Sequence, residues 1–129
     1  MSKIVQITTF NNILDQFFDY MEVEFPYFRS DLILTRSIIT TVKKSNPRLV
    51  VEQFLEYILP FERQILECDE DFFLNFENTM SLNKDNMMYG LKLKSMWLSN
   101  QDQSSEQTLR GKAVIFHFFS KLIKIAKLI

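Results

Sequence analysis

Glycine and proline are scarce in this chain, with 2 and 3 residues respectively, and cysteine and histidine occur once each. So few turn formers exclude a β-rich fold, because sandwiches and barrels need a turn every 8–12 residues or so. The two glycines, Gly90 and Gly111, stand far apart, so there is no Walker A loop and no dinucleotide-binding fingerprint. A lone Cys68 cannot form an internal disulfide, which favours a reducing compartment. One cysteine and one histidine are also too few for a structural zinc site within the chain. No run of about 20 uncharged apolar residues exists, so no transmembrane segment is expected. The start, Met-Ser-Lys-Ile-Val-Gln-Ile-Thr-Thr, lacks the apolar stretch of a signal peptide. A net charge of -1 gives no global attraction to nucleic acid or anionic membrane. A soluble intracellular protein is the expectation.

What is present is core-forming material. Apolar residues make up 47 % of the 129 residues and aromatics 14 %, with 13 Phe. That composition excludes disorder and suits a single domain over residues 1–129. The organising stretch is residues 46–76. Asn46-Pro47 is a helix start, since an N-cap side chain meets a free N–H and proline at the first helical position has none to lose. Val50, Phe54, Tyr57 and Ile58 then share one helical face. Phe61, Ile65, Cys68, Phe72 and Phe76 repeat the phase beyond Pro60, which predicts two short amphipathic helices meeting at a proline.

Elsewhere Ile7, Phe10, Leu14, Phe17, Phe18 and Met21 predict a helix over 8–24, capped by Thr8 or Thr9, with Asp15, Asp19 and Glu22 on its opposite face. A second helix runs from Pro26 or Tyr27 to about Lys44, burying Phe28, Leu32, Ile38 or Ile39, and Val42. Its β-branched segment 35–42 leaves a strand as the rival. Residues 77–81 read as a connection and 82–98 as a helix weakened by Gly90. Residues 99–104 read as a loop, and Ser104 with Gln107 as a capping box opening a last helix over about 105–128. In that helix residues 113–119 are apolar on nearly every side, and Gly111 allows a close neighbour. The fold expected is all-α, a single-domain bundle of five to seven helices.

Chemistry is harder to find. The acidic run Glu67, Asp69, Glu70 and Asp71 suits either a hard cation or a helix start, in which Asp69 is the cap and its neighbours favour the dipole. It has neither the glycine nor the ligand alternation of an EF-hand loop. The helix start is the better reading, and no metal or cofactor is expected. Cys68 and His117 form the one conceivable thiol–imidazole pair. The phase places Cys68 in the core and His117 on the polar stripe, against a catalytic role. No other pair of groups is singled out, so no catalytic residue is assigned.

Charge is distributed unevenly. Residues 52–77 hold eight acids against Arg63, a net of -7, and residues 104–129 hold five cations against Glu106, a net of +4. The two segments either attract each other or face partners. A candidate interaction surface therefore comprises Trp97, Arg110, Lys112, His117, Lys121, Lys124 and Lys127, and a candidate acidic docking segment comprises Glu67, Asp69, Glu70 and Asp71.

The pattern Phe25-Pro26, Asn46-Pro47, Phe54, Pro60-Phe61, Ile65, Asp69-Glu70, Phe72-Phe73 and Trp97 resembles small all-helical proteins of large nucleocytoplasmic DNA viruses. The resemblance spans about residues 10–125 and rests on helix starts and core positions. It implies an intracellular viral protein, compatible with carriage in the virion, and it carries no catalytic residues. The function expected is a non-enzymatic protein–protein interaction or structural role, with a protein partner or the chain itself as a homo-oligomer. Two alternatives stand beside it. One is an amphipathic binder of anionic membrane, or less favourably of nucleic acid, through Arg110, Lys112, Lys121, Lys124 and Lys127. The other is a cation-dependent enzyme using Asp69, Glu70 and Asp71.

Overall fold

A computed structural model describes residues 2–82, 86–98 and 106–129, with side chains from residue 109 onward in the last segment. The described residues form seven α-helices and no strand: α1 Lys3–Glu24, α2 Arg29–Ser45, α3 Pro47–Ile58, α4 Glu62–Leu66, α5 Asp71–Met80, α6 Leu93–Leu98 and α7 Glu106–Ala126. Three-residue 3-10 turns at Pro26–Phe28 and Leu59–Phe61 hold two of the prolines. The all-α expectation is met. The strand rival over 35–42 is not, because those residues lie inside α2.

Helix α1 starts five residues earlier than the sequence suggests. Ser2 is the cap, its hydroxyl accepting from the Val5 N–H at 3.3 Å, while Thr8 and Thr9 donate back to Ile4 and Val5 carbonyls inside the helix. Asn46 caps α3 as expected, accepting from the Leu49 N–H at 3.2 Å, with Pro47 at the first helical position. Residues 77–80 continue α5 rather than forming a connection. Residues 86–92 turn instead of extending a helix, and only 93–98 are helical. The expected loop 99–104, and with it Ser104 of the expected capping box, lies outside the described residues.

The segment expected to form one helix after Pro60 is cut in two at Cys68. The N–H of Asp69 donates to the Gln64 carbonyl at 2.8 Å and that of Cys68 to Ile65 at 3.2 Å, the Schellman pattern that ends a helix. Cys68 takes the left-handed position usually filled by glycine, with φ 53°, and is exposed rather than buried. The helical phase fails there because the chain leaves the helix.

The core is aromatic. Phe119 on α7 lies 5.2 Å from Phe17, 5.5 Å from Phe72, 6.2 Å from Phe76 and 6.3 Å from Phe54, so one ring joins α1, α3, α5 and α7. Offset and edge-on ring pairs of this kind add to the area they bury. Met80, Met87, Met88 and Met96 fill the region around α6, where unbranched side chains fit irregular space. Asn86 fastens that region by donating to the Met80 carbonyl at 3.1 Å and accepting from the Met88 N–H at 2.8 Å. Gly90 sits against α2, where a Cβ would overlap Thr35 Oγ1. It serves close approach of a turn, not a weak helix.

Candidate interaction surfaces

Helix α7 carries the run 113–119, apolar on nearly every side, and the fold consumes much of that character. Ile115, Phe116, Phe119, Leu122, Ile123 and Ala126 are buried, and α7 packs along α1 and also meets α3 and α4. Its outward row is Arg110, Ala113, His117, Lys121 and Lys124. Lys112 does not belong to that row. It is 7 % exposed, its ammonium meets the Glu70 carboxylate, and it lies 5.2 Å over the Trp97 ring. A buried ammonium needs such partners, because a carboxylate and an aromatic face replace part of its lost hydration. Trp97, half-buried, in turn stacks on Phe73 at 6.2 Å with ring planes 6° apart, so its ring helps to close the core. Lys127 pairs with Glu62 at 2.9 Å. Two of the five cations near the end of the chain are thus taken up by the acidic segment.

The acidic run is likewise divided among local tasks. Glu67 lies 3.4 Å from the Arg63 guanidinium one turn earlier, and Asp69 Oδ1 accepts the Asp71 N–H at 3.0 Å at the start of α5. Glu70 turns to Lys112, and Asp71 is left on the surface. Among the described residues no three His, Cys, Asp or Glu side chains converge to hold a metal ion. His117, Lys121 and Lys124 remain as an exposed row without an ion pair among the described residues.

A surface absent from the sequence reading lies on α2. Its inner row is Leu32, Thr35 and Ile39, packed on α1 and α3. That row leaves Ile33, Leu34 and Ile38 facing outward at 50 %, 62 % and 45 % exposure, with Ser30, Ser37 and Thr41 between them. Tyr27, just before the helix, is 96 % exposed. Ile38 was one of two candidates for the buried row, and the structure assigns burial to Ile39.

Several of the charges on α2 are paired within the chain. Arg36 Nη1 lies 2.7 Å from both Asp19 and Glu22, and its Nε lies 3.8 Å from Asp15. Burial works against the charge of the Arg36 guanidinium, but hydrogen bonds and attraction from Asp19 and Glu22 together outweigh it and hold its pKa above the ordinary value. Lys43 pairs with Asp15 at 3.3 Å and Lys92 with Asp31 at 3.9 Å. The α1 carboxylates that read as a solvent face therefore clasp α2.

Compared with protein-family models, known proteins and solved structures, the chain matches none. No described helix is long and apolar enough to cross a membrane.

Proposed function

We propose that this protein is a non-enzymatic interaction module that pairs with a second copy of itself through the outward face of α2. The observation that carries this reading is the exposed row Ile33, Leu34 and Ile38, uncharged along its length, with Arg36 beside it paired to α1 carboxylates and Lys44 exposed at the end of the helix. A two-fold contact sets each patch against its own copy, so a charged patch would repel itself and a neutral one does not. Ser30, Ser37 and Thr41 are small enough to let two helices approach. In the setting implied by the viral resemblance, such pairing suits a structural or scaffolding protein of the infected cell or virion.

The 17 residues of α2 span roughly 25 Å, at 1.5 Å per residue. One helix-on-helix contact of that length falls short of the ~1,200–2,000 Å² typical of stable interfaces. The pairing is therefore expected to be reversible. Light scattering on a size-exclusion column should show the mass rising from 15.4 kDa towards its double as concentration increases. The double substitution Leu34→Glu with Ile38→Glu should hold the chain at the monomer mass without unfolding it. A wild type that stays monomeric into the millimolar range overturns the reading, as does a double variant that associates equally well.

A second reading rests on the row His117, Lys121 and Lys124, which has no ion pair among the described residues. Because the apolar side of α7 is spent in the core, insertion into a bilayer would require the bundle to open. What remains is electrostatic contact, worth about 1 kcal/mol per cation at an anionic surface. Vesicle binding unchanged by Lys121→Glu with Lys124→Glu would remove it.

A further inference from the structure

Tyr27 and Lys44 lie at opposite ends of the exposed row on α2, and the row by itself explains neither. Tyr27 is 96 % exposed in the turn that leads into the helix. It prolongs the line of Leu34 and Ile38, because steps of seven and eleven residues return to nearly the same side of a helix. Lys44, in the last turn, is exposed and has no ion pair among the described residues, whereas its neighbour Lys43 meets Asp15 at 3.3 Å.

Charge changes sign along the helix. From its start to Arg36, the carboxylates of Asp19, Glu22, Glu24 and Asp31 stand against Arg29, Arg36 and Lys92, a net of -1. At its end Lys43 and Lys44 stand against Asp15, a net of +1. A two-fold axis running along the helices would set Lys44 on Lys44 and the acidic start on the acidic start. A two-fold axis running across them sets the basic end of each copy on the acidic start of the other. Like charges placed face to face oppose association and unlike charges favour it, so the second arrangement is the complementary one.

We propose that two copies pair with their α2 helices antiparallel, the two-fold axis passing midway between Leu34 and Ile38. This rests on the self-association argued above and fixes its geometry. Leu34 of each copy then packs on Ile38 of the other, and Ser30 faces Thr41, both small enough for the backbones to approach. Lys44 reaches Tyr27 of the other copy and, beside it, Glu24 and Asp31, so the ammonium gains a ring face and carboxylates together. The exposed tyrosine lengthens the contact past the first turn of α2 at both ends.

Two measurements on the full chain test the orientation. In the first, Cys68→Ser removes the exposed native thiol, and chains carrying Ser30→Cys are mixed with chains carrying Thr41→Cys and treated with a short bis-maleimide. The two positions lie about 16 Å apart along one helix, so an antiparallel pair links unlike chains and a parallel pair links like ones. Links between unlike chains, identified by peptide mass, are expected to dominate. In the second, Lys44→Gln should weaken association about two- to tenfold by light scattering, since two exposed ion contacts are lost per pair. In a parallel pair the same change relieves repulsion and strengthens association. Links between like chains, a dimer that yields no links, or a Lys44→Gln chain that associates as tightly as wild type or more so overturns the antiparallel arrangement and leaves self-association standing. A wild-type mass that does not rise with concentration overturns both.

Discussion

Helices α2 and α7 each carry a row of aliphatic side chains, but α7 turns its row against α1, α3 and α4 while α2 leaves Ile33, Leu34 and Ile38 in water. The difference follows from position. Helix α7 lies beside three partners, and every apolar residue it offers on those sides removes surface from solvent. Helix α2 lies at the edge, against α1 and α3, and the narrow row Leu32, Thr35 and Ile39 is enough for that contact. Its attachment is completed by charge, with Arg36 and Lys43 reaching the carboxylates of α1. A wide apolar stripe on a central helix is core. A smaller apolar stripe on an edge helix, beyond what its neighbours need, is the better candidate for a partner.

The largest effect should come from the centre of the α7 contact. Phe119→Ala removes the ring shared by four helices and should destabilise the fold by about 3–5 kcal/mol, measured by urea unfolding. A loss below about 1 kcal/mol would mean that α7 is not the axis of the core. Next is the inner side of α2. Gly90→Ala drives a Cβ into Thr35 Oγ1, a buried hydroxyl held by its 2.8 Å bond to the Asp31 carbonyl. Overpacking of this kind costs about 1–3 kcal/mol. Thr35→Ala leaves only ordinary contacts around the new methyl, so the double variant should be more stable than the sum of the single losses predicts. Additive losses would show that the turn does not press on α2.

Much of the helical framework is legible in the sequence because it rests on local rules. Asn46-Pro47 announces α3, and the rows Phe10, Leu14, Phe17 and Val50, Phe54, Ile58 fall in the core at helical spacing. Lys112 was also legible, since it shares the phase of Ile115, Phe116 and Phe119, but its charge outweighed its phase. The break at Cys68 was not. A Schellman turn is normally marked by glycine, and a cysteine in that position carries no such mark. Ser2 could not be chosen over Thr8 and Thr9, as all three hydroxyls are eligible caps. The outward row of α2 was hidden because Ile38 and Ile39 differ by one position, and only the neighbours decide which is buried.

Smaller effects test how polar groups tolerate the α7 side of the comparison. Lys112→Met replaces the buried ammonium with an apolar chain of similar length. Glu70, which is exposed, can regain water, so stability should change by no more than about 1 kcal/mol. Lys112→Glu places a second carboxylate against Glu70 in a buried position and should cost clearly more. Equal behaviour of the two variants would show that the site is wet.

The smallest effect is expected at Tyr20, where α1 meets α7. Its ring lies 6.2 Å from Phe118, and a Cβ at Gly111 would fall 3.5 Å from its hydroxyl, so the phenol rests on α7. Burial, and secondarily the charge of Glu24, raise its pKa above the ordinary 10.0, while Arg110 pulls the other way. A raised folded-state pKa means that the native state keeps the phenol proton longer than the unfolded chain does. The associated stability is fully present below 10.0 and is lost as pH rises through the native value. Wild type should therefore lose more stability than Tyr20→Phe between neutral pH and pH values above 10.0, and the difference isolates this phenol from the lysines that titrate in the same range. Replacing Arg110 by Gln removes the opposing influence and should move the loss to still higher pH. Parallel pH profiles for wild type and Tyr20→Phe would place the hydroxyl in water, and the α1–α7 contact would then end one turn earlier than the ring packing implies.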